Sequence, residues 1–152
     1  MSPGVADEVR VALPSDPRYL PMVRGLVERG AEIAGFAEEE CQRIVLGVTE
    51  AVTNVMRHGY GGAKDQRIDL TLRVPIGLFY LEIRDQGKYV NLDAIRSRPL
   101  DEVRPGGLGV HLIRSTMDSV TYRKNDAGGT TLTLMRRLAG SAPSSPTAPE
   151  EG

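Results

Sequence analysis

The 152-residue sequence has no tryptophan, a single cysteine (Cys41) and only two histidines, His58 and His111. One cysteine excludes an internal disulfide, and two scattered histidines beside it leave no zinc cluster. Cys41 therefore reads as a small buried hydrophobe, and His58 and His111 read as packing or rim residues. An excess of either charge is also lacking: the net charge is −1 with both signs interspersed, so no broad basic face for nucleic acid is expected. No segment approaches the run of about 18 apolar residues that crosses a membrane. The first eight residues hold no basic stretch followed by an apolar one, so no secretory signal is expected and the protein reads as cytoplasmic. The length suits one domain with its own core.

What is present is periodicity. Apolar and polar residues alternate over 5–13 and stop at Pro14, predicting an opening strand. Ser15 or Asp16 can cap a helix over 17–34 with Pro17 at its first position, and Leu20, Val23, Val27 and Ile33 supply its apolar stripe. Gly25 and Gly30 weaken that helix. A second helix is predicted over 37–58, with Glu38, Glu39 and Glu40 in the first turn, where negative charge suits the helix dipole. Strands over 67–74 and 78–84 form a hairpin across Pro75-Ile76-Gly77. The stretch between Gly87 and Gly109 reads as a mobile lid with a short helix at 92–96. Gly106-Gly107-Leu108-Gly109 then opens a helix over 110–117, and 119–123 and 130–136 form a last strand pair. Residues 1–138 are expected to form the domain, and 139–152, rich in Ser, Pro and Ala, a disordered tail.

The second helix organises the rest. Wound at about 100° per residue, it gathers Ile44, Val45, Val48, Ala51, Val52 and Val55 into one stripe and sets Gly47, Glu50, Asn54 and Arg57 roughly opposite. Glu50 and Asn54, at i and i+4, share a face that a ligand could use, although an ordinary solvated face fits this helix as well. Three further signals follow in order: Asp85-x-Gly87 at a strand end, Gly107-x-Gly109 at a helix start, where backbone amides can hold phosphate, and Gly129-Thr130-Thr131 opening a strand. Each alone is usually just a turn. Their order and spacing together are much harder to obtain by chance.

In that order the chain resembles the ATP-binding domain shared by histidine kinases, gyrase, Hsp90 and MutL, the GHKL or Bergerat fold. Residues 50–60, Glu-Ala-Val-Thr-Asn-Val-Met-Arg-His-Gly-Tyr, and 106–118, Gly-Gly-Leu-Gly-Val-His-Leu-Ile-Arg-Ser-Thr-Met-Asp, look like the small anti-sigma-factor serine kinases of bacteria. The resemblance spans roughly Val5 to Leu138. It implies an α+β fold, a two-layer α/β sandwich whose mixed, mostly antiparallel sheet carries its helices on one face. It also implies ATP and Mg²⁺ as ligands, a sigma factor and an anti-anti-sigma (STAS-type) antagonist protein as partners, and it admits a homodimer.

The resemblance further implies roles for the matching positions. Asn54 offers Mg²⁺ a neutral oxygen, the cation keeping waters and phosphate oxygens as its other ligands. Asp85 accepts the adenine amino hydrogen, Gly87 lies beneath the purine, and Thr130 supports the adenine site. Gly107, Leu108 and Gly109 form the phosphate-side turn, Arg57 joins the nucleotide set, and Arg104 is the lid arginine that reads the γ-phosphate. Glu50 orients or deprotonates the acceptor hydroxyl. One position departs from the pattern: Tyr89 stands where the family has a second glycine. A partner-binding module of the same fold that performs no transfer therefore remains the alternative. A detached histidine-kinase ATPase domain is the third reading, and the short lid and missing phosphoacceptor helix weigh against it.

Overall fold

The computed structural model describes residues 7–89 and 105–139, with backbone alone at 105–110. The chain runs through β1 (Val9–Pro14), a 3-10 turn (Pro17–Tyr19), α1 (Leu20–Ala34), α2 (Glu38–Asn54) and a π-helical turn (Val55–Gly59). It continues with β2 (Arg67–Arg73), β3 (Leu78–Asp85), α3 (Pro105–Thr116), β4 (Ser119–Lys124) and β5 (Thr130–Arg137). The short helix expected at 92–96, most of the lid and the tail from 140 onward lie outside the described residues, as do residues 5 and 6 of the expected opening strand. That strand starts at Val9, later than expected, and runs one residue further, to Pro14.

The strands form one sheet in the order β1-β2-β3-β5-β4. Every pairing is antiparallel, so the sheet is not mixed as expected. Two of the pairs, β2–β3 and β4–β5, are hairpins. β4 does run parallel to β3, as a strand-helix-strand crossover produces, but β5 lies between them and opposes both.

Alternation then decides the layers. Register sets Leu70 opposite Ile83 and Leu72 opposite Leu81, and sets Leu81 opposite Leu134. These side chains point to one face and are buried, together with Ile68 and Phe79, against Val27, Ile44, Val48 and Val52 of the helices. The opposite face carries Arg67, Asp69, Thr71, Arg73, Glu82 and Arg84, which are exposed or half-buried. An antiparallel sheet is stable with one side covered and one wet, and the result is a two-layer α+β sandwich.

Asp16 caps the 3-10 turn that leads into α1, its carboxylate accepting the Arg18 N–H at 3.0 Å with Pro17 next in the chain. The α-helix itself starts at Leu20, three residues later than expected, with Tyr19 at its N-cap and no side-chain cap. The buried face of α1 departs from expectation: it is Val23, Val27, Gly30, Ala31 and Ala34, while Ile33 is 63% exposed. The helix lies so close to the sheet that a Cβ on Gly30 would come within 2.8 Å of Leu72 Cδ2, which leaves that face to small residues. In α2, Gly47 is buried too, covered by α3, and does not belong to an open ligand face. Cys41 is buried, with its thiol 3.4 Å from the Phe36 carbonyl it donates to.

Regular α geometry in α2 stops at Asn54, four residues short of the expected end. The chain continues as a π turn in which the Tyr60 N–H donates to the Val55 carbonyl at 3.0 Å. Such widened turns occur often at functional sites. α3 begins at Pro105, earlier than the expected 110, so Gly106, Gly107 and Gly109 lie within its first turns and not ahead of it. Proline suits the first helical position because the N–H it lacks would have had no partner there. At the other end of α3, Arg136 of β5 donates to the Thr116 carbonyl at 2.8 Å and pairs with Glu40 in the first turn of α2. That one guanidinium ties three elements together. No helix among the described residues is long and apolar enough to cross a membrane.

Candidate functional site

Asp85 is the last residue of β3 and falls on the inward side of the sheet, 3% exposed. Its Oδ1 accepts the Gly87 N–H at 2.9 Å, and the backbone N–H of Thr130 also favours the charged carboxylate. Burial pushes its pKa up, and those two donors pull it partly back. The β4–β5 connection closes over its main chain: Asn125 Nδ2 donates to the Asp85 carbonyl at 3.3 Å, while Asn125 Oδ1 accepts from the Thr131 hydroxyl at 2.6 Å. Gly129, with φ at +89°, passes so near that a Cβ there would stand 2.1 Å from the Asp85 carbonyl oxygen.

From the other side comes the end of α2. The Lys88 N–H donates to the Gly59 carbonyl at 2.8 Å, and a Cβ on Gly87 would lie 2.3 Å from that oxygen. The glycine in Asp85-x-Gly87 is thus demanded by protein backbone whatever lies above it. The resemblance placed Gly87 beneath a purine; among the described residues its nearest neighbours are Gly59 and Tyr60.

Between these segments lies a pocket of about 30 Å³ lined by Ala51, Asn54, Val55, Gly59, Asp85, Lys88, Tyr122, Thr130 and Leu132. A water needs about 10–15 Å³ on this measure, so there is room here for a small polar group. Asn54 is 3% exposed, and neither its Oδ1 nor its Nδ2 has a hydrogen-bond partner among the described residues. A buried amide with both ends unpaired costs stability unless a ligand or water completes it. Apolar walls with one carboxylate and one unpaired amide are the usual makings of a binding site.

Of the residues expected in the site, Asn54, Asp85 and Thr130 line this pocket, and Gly87 braces it. Glu50, half-buried, and Arg57, exposed, lie on the same segment but outside the lining. Gly107, Leu108 and Gly109 are in the first turns of α3, and Arg104 lies outside the described residues. Among the described residues no group of three or more His, Cys, Asp and Glu could hold a metal ion. Tyr89, which stands where the family has a second glycine, is half-buried and is not among the residues that line the pocket. Lys88, Tyr122, Leu132 and Asn125 were not anticipated. Tyr122 was findable as an inward position of β4, but its nearness to Asp85 depends on β5 separating β4 from β3.

A family model described as the histidine kinase-like ATPase domain matches residues 13–136 of this chain. The chain belongs to the histidine kinase-like ATPase domain family. Within the family it is similar to serine-protein kinase RsbW of Bacillus subtilis strain 168, 25% identical over 143 residues covering 89% of this chain and 88% of that one. The serine-protein kinase RsbW of Staphylococcus epidermidis is 28% identical over 141 residues, 87% of each chain. Among solved structures, the RsbU and RsbW domains of a Mycobacterium tuberculosis protein share the fold at a TM-score of 0.60 and 18% identity. That match covers 86% of this chain and 32% of the other, so this histidine kinase-like ATPase domain spans about a third of that protein. A blue-light activated histidine kinase of Erythrobacter litoralis matches at a TM-score of 0.52, over 84% of this chain and 42% of that one.

Proposed function

We propose that this chain is an ATP-dependent serine/threonine protein kinase of the anti-sigma-factor type, acting in the cytoplasm. It phosphorylates an anti-anti-sigma antagonist of STAS type and, in the alternate complex, sequesters a sigma factor. The relatives named serine-protein kinases, matched over nearly their whole length, support the reaction class. The observation that carries the site is the buried, unpaired Asn54 amide sharing one pocket with the Asp85 carboxylate.

The residues present fit ATP with Mg²⁺. The orphaned Oδ1 of Asn54 is the neutral oxygen that a hard cation takes. Asp85 offers an acceptor in the pocket wall for the amino edge of a base, and Thr130, in the same wall, supports that edge. Gly107, Leu108 and Gly109 are assigned to the phosphate side; with α3 starting at Pro105, the Gly106 and Gly107 amides are the ones that intrahelical bonding leaves free for it. Arg57 and Arg104 are assigned to the phosphates. Magnesium, when bound, neutralises developing charge on the phosphates. Glu50, one helical turn before Asn54, orients or deprotonates the acceptor hydroxyl.

Incubation of the purified protein with radiolabelled Mg·ATP and a STAS-type antagonist tests this directly. Label on a serine or threonine of the antagonist is the expected outcome. Binding of ATP without label, on a well-folded protein and a folded antagonist, would favour the alternative of a silent partner-binding module, and absence of ATP binding would overturn the nucleotide site.

A further inference from the structure

The β2–β3 ladder ends early, and something stands where its next rung should be. Its last pair is Ile68 with Asp85; the following pair in register would be Arg67 with Gln86. In its place the Tyr60 hydroxyl donates to the Arg67 carbonyl at 2.6 Å and accepts the Gln86 N–H at 2.7 Å. One oxygen thus bridges the two groups that would otherwise have bonded each other. The strands part around it, and Asp85-Gln86-Gly87 leaves the sheet and turns over the pocket.

The rest of Tyr60 and its neighbour complete the hold. A Cβ on Gly87 would meet Tyr60 Cδ1 at 2.8 Å, so the ring lies flush on that glycine, while Gly59 takes the Lys88 N–H. Tyr60 follows directly on the π turn that starts after Asn54. The segment carrying the unpaired amide therefore also grips the loop carrying the carboxylate. Only a protonated phenol can donate and accept at once. Burial pushes the Tyr60 pKa up, so the phenol keeps its proton at neutral pH.

We propose that Tyr60 is a positioning residue for recognition of the base amino group: its hydroxyl holds the Asp85-Gln86-Gly87 turn so that the Asp85 carboxylate points at that group. This rests on the reading of Asp85 as the base acceptor. Tyr60 touches no reacting atom; it acts through the strand end it pins.

The test compares wild type with Tyr60→Phe, which keeps the ring and loses only the hydroxyl. Calorimetry at saturating Mg²⁺ would measure binding of ATP and of purine riboside triphosphate, which is ATP without its 6-amino group, with melting curves to show that both proteins fold. Wild type should prefer ATP. Tyr60→Phe should weaken ATP by about 3- to 10-fold, the worth of one well-placed hydrogen bond, and leave the analogue within about twofold. Equal weakening of both nucleotides would make Tyr60 a general structural residue and overturn the proposal, as would unchanged ATP affinity. A wild type that binds both nucleotides equally, or neither, would instead overturn the reading of Asp85.

Discussion

A Cβ built on Gly47 would stand 2.1 Å from Oγ1 of Thr116, so α2 and α3 cross at a point with no room for a side chain. Thr116 is buried and its hydroxyl donates to the Ile113 carbonyl at 2.9 Å, leaving it little freedom to yield. Gly47→Ala is therefore expected to destabilise the protein by about 1–3 kcal/mol, the cost of overpacking, despite alanine's better helix propensity. Thermal melting checks this, and pairing the change with Thr116→Ala should recover part of the loss. A melting temperature as high as wild type would mean that the crossing is not tight.

Gly25, on the same kind of element, should behave in the opposite way. Nothing lies within 4 Å of a Cβ added there, and the residue is inside α1. Gly25→Ala should stabilise by about 0.5–1 kcal/mol through lower backbone entropy in the unfolded chain and better helix propensity. Denaturant unfolding measures the change, and a loss of stability would place unseen contacts around that position.

Asp85 sets a pH dependence. Burial holds its folded pKa above the unfolded value of 3.8. The stability linked to this group is thus present below the unfolded pKa and is lost as pH rises through the folded one, so the ionised carboxylate weighs on the ligand-free fold at neutral pH. Asp85→Asn should raise the melting temperature at pH 7 relative to wild type, with the gap closing toward pH 3, while ATP affinity falls. A gap independent of pH would show that charge burial is not its cause.

Glu50 and Asn54 should separate chemistry from binding. Glu50→Gln keeps shape and loses charge; ATP affinity should hold within a few fold while phosphoryl transfer slows by roughly 10²–10⁴, the range for losing a general base. Asn54→Ala should abolish Mg²⁺-dependent binding. Because the Asn54 amide is buried without partners, its removal should leave the melting temperature unchanged or higher. Transfer by Glu50→Gln at the wild-type rate would reduce Glu50 to a positioning role.

Much of the fold was legible because its signals are local. Period two in β2 and β3, the Asp16-Pro17 turn that leads into α1 and the acidic first turn of α2 all appear where the spacing predicts them. The misplacements share a cause. Ile33 and Gly47 were sorted by helical angle alone, yet a neighbouring element decides which residues it covers: α1 comes close to the sheet at Gly30, and α3 comes close to α2 at Gly47. The start of α3 was misread because glycines count as breaks in a sequence, while Pro105 starts a helix that carries them.

The sequence by itself determined the elements, the single apolar face that makes two layers, and the residue types able to meet a cation and a base, since each of these depends on spacings of two, three or four residues. Only the tertiary structure decided that Asn54 and Asp85 share one pocket, that Gly87 is required by the backbone of Gly59, and that Tyr60 replaces a rung between Arg67 and Gln86. These are contacts of a few ångströms between segments far apart in the chain. Their geometry is set by how whole elements pack, and no local period encodes it.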